Sequence, residues 1–323
     1  MRGDDLASFP IDENTPDDVR LLHRVLSSQT GDLQTFNLGN CGTAMRFLTA
    51  WFAQREGCSV VLEGSSRMHE RPIGQLVDAL REAGADIEYL AKDGFPPLKI
   101  NGSSLRRQPL KLVNPQSTQF VSALMLTGFK VETDRRSPYI DMTIGMLSDI
   151  SGYDYPNKPI ERDWSAAAFW YEYVALHGGS MLLQGLSTDS IQGDKAVADI
   201  FRGLGLETQQ EEQGVIISRS CVREDNMSLD FSAFPDLYPA VYATCRCLGV
   251  KMQFSGLDSL PLKESDRLKA MRQIDGERQP VYHSFGDHRI AMALLCAGYT
   301  VDDMQCIDKS YPQFVKQWQA LHL

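Results

Sequence analysis

Apolar and polar positions alternate with helical spacing in the stretch that follows Pro72. Four apolar residues share one face of a predicted helix at positions i, i+3, i+4 and i+7: Ile73, Leu76, Val77 and Leu80. Gly84 lies where a left-handed cap commonly ends a helix. Short apolar runs over 59–62 and 86–89 flank this segment, so the pattern predicts a strand, a polar loop, a helix and a second strand.

The same pattern occurs a second time, at an offset of 121 residues that carries Gly57 onto Gly178. Seven residues are identical between the copies: Gly57, Ser59, Leu62, Gly64, Asp78, Arg81 and Gly84 in the first, and Gly178, Ser180, Leu183, Gly185, Asp199, Arg202 and Gly205 in the second. Weaker copies of the repeat begin at Met252 and Met304, and each is predicted as a strand followed by a loop and a helix. Repeated units bring the loops after their strands to comparable positions, so function should lie in those loops.

Composition is typical of a globular α/β protein of about two domains, since the chain has 323 residues of which 43% are hydrophobic. We predict a crossing between domains in the stretch 151–163, which gives an N-terminal domain over 1–160 and a C-terminal domain over 161–323. The formal net charge of -10 argues against a nucleic-acid partner or an anionic membrane surface. Any anion site must therefore be local.

The cysteines indicate a reducing compartment and no metal site. They are odd in number and lack metal-ligand spacing: Cys41, Cys58, Cys221, Cys245, Cys247, Cys296 and Cys306. The acidic start over 1–5 has no apolar h-region, and no apolar run approaches the roughly 18 residues of a membrane-spanning helix. We therefore predict a cytoplasmic protein.

Cations stand at the loop-helix junctions of this acidic chain: Arg46, Arg67, Lys263, Arg267, Arg289 and Lys309. A composite anion site explains them, because helix starts and arginines both bind carboxylate and phosphate. Each signal alone has an ordinary alternative. The Gly-rich segment 39–46 also fits a tight turn, Glu70 and Arg71 could pair at the surface, and Ser117 or Thr118 could cap a helix.

Carboxylates accompany these cations. Asp236 lies near the start of a helix predicted over 237–247, where it could be a base or a cap stabilised by about 0.3 to 1 kcal/mol. The segment 263–267 contains four charged residues. On one helix Lys263 and Arg267 would be i, i+4 neighbours and would repel each other unless an acid or an anion lay between them.

Six stretches together resemble the signatures of the 5-enolpyruvylshikimate-3-phosphate synthases, in the family's order: GNCGTAMRFLTA, SSRMHERPIGQLVDAL, SPYIDMT, LKESDRLKAM, GDHRIAMA and DKSYPQF. The resemblance implies a two-domain α/β enolpyruvyl transferase fold, each domain built of repeated βαβαββ units as an inside-out α/β barrel. It implies transfer of the enolpyruvyl group from phosphoenolpyruvate to the 5-hydroxyl of shikimate 3-phosphate, with release of phosphate. No metal or organic cofactor is implied, and we expect a monomer that binds these small molecules in a cleft between the domains.

Carried over position by position, the resemblance also implies roles for individual residues. Phosphoenolpyruvate would be bound by Gly42, Arg67, Arg267, Arg289 and Lys309. Shikimate 3-phosphate would face Ser117, Thr118, Gln119, Tyr139, Asp236 and Lys263. Asp236 would take the proton of the attacking hydroxyl, and Glu264 would transfer a proton at the enolpyruvyl methylene.

The chain departs from the family pattern in several places. Nothing before Gly39 matches the family's opening segment, in which a lysine, a serine and an arginine touch both substrates. Contractions fall within 126–137, 150–164 and 271–285. Two interpretations stay open: an enzyme whose sequence lacks some segments here, or a truncated paralogue that binds shikimate 3-phosphate as a regulatory or structural module without turnover.

Overall fold

The fold is described from a computed structural model, over residues 10–28, 33–150, 161–220 and 223–321, with the side chains of 149–150 left aside. The chain divides into two compact units, Met1–Leu147 and Ser148–Leu323. The crossing predicted over 151–163 lies mostly outside the described residues. The domain boundary at residue 160 therefore stays a prediction.

Unit 1 contains five α-helices and six strands among its described residues. In chain order they are α1 (Asp17–Leu26), β1 (Gln34–Asn37), α2 (Gly42–Ala53), β2 (Ser59–Glu63), α3 (Gly74–Glu82), β3 (Asp86–Tyr89), β4 (Leu98–Asn101), β5 (Leu110–Leu112), α4 (Thr118–Leu126), β6 (Val131–Thr133) and α5 (Pro138–Ile150), the last of which ends in the next unit. The first four strands form a sheet of order β1-β2-β4-β3, with β1 parallel to β2 and β4 antiparallel to β2 and β3. This sheet with α2 and α3 is a complete βαβαββ unit. Strands β5 and β6 form a parallel pair joined through α4.

Unit 2 is built from shorter pieces of the same kind. Its elements are α6 (Trp164–His177), β7 (Ser180–Gln184), α7 (Val197–Gly203), β8 (Leu206–Glu211), β9 (Gly214–Arg219), β10 (Asn226–Asp230), α8 (Tyr238–Leu248), β11 (Lys251–Ser255), α9 (Arg267–Met271), α10 (His288–Cys296) and α11 (Phe314–Ala320). Strands β7, β9 and β8 form an antiparallel sheet, and β10 pairs in parallel with β11. Within the described residues, the repeating unit is therefore complete only in unit 1.

The predicted repeat is confirmed in three dimensions. Strands β2 and β7 begin at the matched residues Ser59 and Ser180, and each pairs with the second strand of a following hairpin. The matched glycines Gly84 and Gly205 have φ of 102° and 89°, a left-handed conformation that favours glycine. The predicted apolar faces are buried in both copies: Ile73, Leu76, Val77 and Leu80 in the first, and Val197, Ile200, Phe201 and Leu204 in the second.

Of the strands predicted at the two weaker copies of the repeat, one is confirmed and the other is wrong. The stretch after Met252 lies in β11. The stretch after Met304 is a 3-10 helix, Gln305–Lys309, rather than a strand. The Asp303 carboxylate accepts hydrogen bonds from the backbone N–H groups of Gln305 at 2.8 Å and Cys306 at 3.3 Å, which favours a helical turn.

Candidate active site

Charged side chains from four segments of unit 2 converge on one cluster. Asp236 lies in a 3-10 turn (Pro235–Leu237) directly before α8. The remaining members lie after a second 3-10 turn (Leu260–Leu262), at the starts of α9 and α10, and at the end of the turn before α11: Lys263, Glu264, Arg267, Asp287, Arg289 and Lys309. We call these seven residues the charge cluster.

Three cations hold Asp236, whose side chain is 22% exposed. Its Oδ1 accepts from Lys263 Nζ at 3.0 Å and from Arg267 Nη1 at 2.8 Å, and its Oδ2 lies 3.2 Å from Arg289 Nη2. Burial would raise the pKa of Asp236, but Arg289, Lys263 and Arg267 together hold that pKa well below its ordinary value. The alternative of an ordinary helix cap is wrong, because the N-cap residues of this turn and of α8 are Phe234 and Leu237.

The predicted i, i+4 stacking of two cations on one helix is also wrong. Lys263 has an extended backbone after its 3-10 turn, and α9 begins only at Arg267. The two cations still meet around an acid, as the repulsion argument required, and that acid is Asp236. Glu264 joins them by accepting from Arg267 Nη2 at 2.9 Å, and it lies 3.4 Å from Lys309 Nζ.

Asp287 lies at the buried side of the charge cluster and was not predicted as a site residue. It is 0% exposed and faces Arg267, which is 1% exposed. Its Oδ2 accepts from Arg267 Nε at 2.8 Å and from Ser265 Oγ at 3.0 Å. Its Oδ1 accepts from the backbone N–H of Arg289 at 3.0 Å, so it also caps α10. Neither the cap nor the ion pair with a residue 20 positions earlier was predicted from the sequence.

His288 is a second residue that sequence reasoning missed. It is 3% exposed and lies beside Asp287, with 3.8 Å between Nδ1 and Oδ1. Burial, together with Lys309 and Arg289, lowers the pKa of His288 to about 3. The imidazole is therefore neutral at physiological pH and adds no cation to the charge cluster.

The start of α2 forms a cationic niche in unit 1. Gly42 is the first residue of α2, and a Cβ atom at this position would overlap Nη1 of Arg46 and lie 2.5 Å from Nη2 of Arg71. Both arginines are 5% exposed. The predicted surface pair of Glu70 with Arg71 is wrong, because Glu70 pairs with Arg67 at 2.9 Å while Arg71 donates to the carbonyl oxygen of Asn40 at 3.1 Å. Arg71 thus joins the niche around Gly42.

The start of α4 is tied to the start of α2 by the side chain of Gln119. Its Oε1 accepts from Arg46 Nη1 at 3.1 Å, and its Nε2 donates to Thr43 Oγ1 at 3.0 Å. Ser117 caps α4 by accepting from the backbone N–H of Gln119 at 3.3 Å, so the cap interpretation is correct for this residue.

The remaining predicted residues of unit 1 lie at helix starts or at the surface. Thr118 is the first residue of α4. Tyr139 lies in the first turn of α5, where its backbone N–H donates to Ser137 Oγ at 3.3 Å. Arg67 forms its pair with Glu70 at the surface, with the two side chains 27% and 65% exposed. The structure therefore brings Gly42 and Gln119 together through Arg46 and Thr43.

Two further findings concern the residues that the structure describes. They contain no group of three or more His, Cys, Asp or Glu side chains arranged to hold a metal ion. No helix among them has the length and apolar character needed to cross a membrane.

The chain matches known proteins along almost its entire length. The family model of EPSP synthase (3-phosphoshikimate 1-carboxyvinyltransferase) matches residues 11–153, 154–274 and 278–318. The chain is 32% identical to the 3-phosphoshikimate 1-carboxyvinyltransferase of Bacteroides fragilis, over 97% of this chain and 88% of that protein. It is 31% identical to that of Shewanella loihica, over 96% and 84%.

Solved structures support the same fold. The structure of EPSP synthase from Acinetobacter baumannii aligns with a TM-score of 0.64 at 22% identity, over 89% of this chain and 78% of that one. The two-domain α/β fold class predicted from the sequence is thereby confirmed. The chain belongs to the EPSP synthase (3-phosphoshikimate 1-carboxyvinyltransferase) family.

Proposed function

We propose that this chain transfers the enolpyruvyl group of phosphoenolpyruvate to the 5-hydroxyl of shikimate 3-phosphate and releases phosphate. The observation that carries this proposal is the charge cluster, in which three carboxylates lie among four cations. A transfer between two anionic substrates needs cations for binding and carboxylates for proton transfer. The family assignment supports the same reaction.

The cations of the charge cluster supply the proposed phosphoenolpyruvate site. Arg267, Arg289 and Lys309 bind its carboxylate and phosphate, with Gly42 and Arg67 of unit 1 as further contacts. Arginine suits these groups because its planar fork matches two oxygens at once. The absent Cβ of Gly42 leaves room for two guanidinium groups at the start of α2, where backbone N–H groups also favour an anion.

Shikimate 3-phosphate is assigned mainly to hydroxyl and amide groups. Ser117, Thr118 and Gln119 stand at the start of α4 and Tyr139 stands in α5, with Asp236 and Lys263 as further contacts. The Gln119 amide is oriented before any ligand binds, because Arg46 and Thr43 hold its two ends. A preset amide loses little conformational entropy on binding.

Asp236 is the proposed base for the 5-hydroxyl. Arg289, Lys263 and Arg267 lower the pKa of Asp236, so this carboxylate is ionised but weakly basic. When substrate anions pair with these cations, the cations stabilise the Asp236 carboxylate less. The pKa of Asp236 therefore rises. The base therefore becomes stronger once the substrates are bound, when the proton must be removed.

Glu264 is the proposed partner for the methylene carbon. As the 5-oxygen bonds to the central carbon of phosphoenolpyruvate, the methylene carbon accepts a proton from Glu264, which acts here in its protonated carboxyl form, and a tetrahedral intermediate forms. When the bond to the phosphate oxygen breaks, the same carbon returns a proton to Glu264. Arg267 and Lys309, which contact Glu264, stabilise the charge on the departing phosphate. We also infer that the protein acts on these small molecules as a cytoplasmic monomer.

Release of inorganic phosphate tests this function. The purified chain is given both substrates, and each substrate is then omitted in turn. We expect release only when both are present, together with a product that contains the enolpyruvyl ether. Release from phosphoenolpyruvate alone would indicate a phosphatase, and no release from the folded chain would refute the proposal.

A further inference from the structure

The buried side of the charge cluster contains a carboxylate for which the proposed mechanism has no use. Asp287 is 0% exposed, so it has no access to a substrate hydroxyl through solvent. Four donor groups already surround it: the Nε and Nη2 of Arg267 at 2.8 and 3.3 Å, Ser265 Oγ at 3.0 Å and the backbone N–H of Arg289 at 3.0 Å. Its acceptor sites are therefore saturated.

The guanidinium of Arg267 is held on every edge by an acid. Asp287 accepts hydrogen bonds from the edge of the guanidinium formed by Nε and Nη2. This contact leaves Nη1 directed at Asp236 at 2.8 Å and a second Nη2 hydrogen directed at Glu264 at 2.9 Å. A planar group fixed along one edge cannot rotate, so Asp287 determines where the two outer nitrogens point.

We propose that Asp287 is a positioning residue that fixes the Arg267 guanidinium so that it addresses Asp236 and Glu264 together. Asp287 touches neither substrate nor the reacting atoms, and it acts through Arg267 alone. This role rests on the proposed function. It differs from simple capping of α10, since a cap requires only the bond to the backbone N–H of Arg289.

A double-mutant cycle on kcat tests the role. Asp287→Asn keeps the shape and an oxygen for the α10 cap but removes the charge that positions Arg267. We therefore expect kcat to fall at least about 100-fold, the loss that a misplacement of about 1 Å in a site can cause. In an Arg267→Gln background, Asp287→Asn should change kcat less than about threefold, because its effect passes through Arg267. Effects that multiply in the double variant would overturn the proposal, as would a single variant within threefold of the parent protein.

A milder variant and a matched control distinguish the proposed role of Asp287 from a general loss of folding. Ser265→Ala removes one donor to the same Oδ2 atom, and we expect a fall in kcat of about 3- to 10-fold that also disappears in the Arg267→Gln background. Glu172→Gln alters another fully buried acid of unit 2 that lies outside the charge cluster. It should leave kcat within about twofold, and a loss as large as that of Asp287→Asn would show that any buried acid in unit 2 has this effect, which would overturn the specific role.

A second measurement needs no turnover and so separates this proposal from the proposed function. The Nε–H nuclear magnetic resonance signal of Arg267, identified by its loss in Arg267→Lys, should exchange slowly with water because the group is buried and bonded to Asp287. In Asp287→Asn we expect exchange at least about tenfold faster. If the parent protein releases no phosphate but shows this difference, the function fails and the positioning contact stands. Equal exchange in both proteins would refute the contact itself.

Discussion

Glu172 provides the sharpest test of how unit 2 is stabilised. It lies in α6 with 0% exposure, and neither carboxyl oxygen has a hydrogen-bond partner in the described part of the chain. Burial, and to a smaller extent the nearby Cys247 thiol, raises the pKa of Glu172 well above its usual value of 4.5. The folded protein therefore holds a proton at Glu172 at pH values where the unfolded chain has released it.

The sign of the pH dependence follows from that difference. Between 4.5 and the folded-state pKa, the folded state binds more protons at this site than the unfolded state. The free energy of unfolding therefore falls as pH rises, by about 1.4 kcal/mol for each pH unit in this window. The Glu172→Met variant has no proton to lose and no unpaired oxygen, and its side chain has a similar shape.

We expect Glu172→Met to be more stable than the parent protein at every pH above about 5, by an amount that increases with pH up to the folded-state pKa of Glu172. The unpaired polar group alone accounts for about 1 to 3 kcal/mol. Between pH 5.5 and 7.5 the difference should grow by up to about 2.7 kcal/mol. Each kcal/mol corresponds to about 2 to 4 °C in the melting temperature of a domain of 150–250 residues.

Urea unfolding followed by tryptophan fluorescence measures the effect, because Trp164 and Trp170 lie in the same helix as Glu172. Glu172→Gln is the matched control, since it keeps polar atoms but cannot titrate. Its stability should follow that of Glu172→Met with a constant offset. If the stabilities of parent and Glu172→Met run parallel from pH 5.5 to 7.5, the carboxyl does not carry a raised pKa and the reasoning is refuted.

Three further predictions concern the proposed reaction. Asp236→Asn and Glu264→Gln should each lower kcat by about 100- to 10,000-fold while calorimetry finds shikimate 3-phosphate binding largely intact; loss of binding in step with kcat would contradict their assigned roles. Gly42→Ala should raise the KM for phosphoenolpyruvate at least about tenfold and leave the KM for shikimate 3-phosphate nearly unchanged, because the new methyl group displaces Arg46 and Arg71; steady-state kinetics with each substrate varied decides, and an unchanged KM for phosphoenolpyruvate would argue against the niche. His288 has a pKa of about 3, so His288→Gln should leave the position of every pH-rate inflection between pH 5 and 8 unchanged, and an inflection that vanishes in the variant would show that His288 titrates there.

Local features of the fold were predictable from the sequence because they depend on neighbouring residues. The apolar spacing around Leu76 and Leu80 specifies the helix, and Gly84 specifies its end. The error after Met304 has a local cause too, since one carboxylate at Asp303 favours a helical turn over a strand of similar composition.

The interior of the site was less predictable because it is formed by contacts through space. The cap at Asp287 depends on residues next to it in sequence, whereas its ion pair with Arg267 depends on how two loops meet. Glu172 stands in a helix that is apolar on all sides, where a single acidic residue usually marks the solvent face. Its burial followed only from the packing of α6 in the core of unit 2.

The residues that the two copies of the repeat share are structural and are distinct from the proposed site residues. None of its seven matched pairs belongs to the charge cluster or to the niche around Gly42. Three of the pairs are glycines, of which Gly57 and Gly178 share φ values of 78° and 82°. The two copies have thus kept the left-handed glycines before the strand and after the helix, while the residues proposed to act on substrate differ between them. For protein engineers, this makes the loop after β7 the more replaceable of the two, because the loop after β2 contains Arg67 and Arg71.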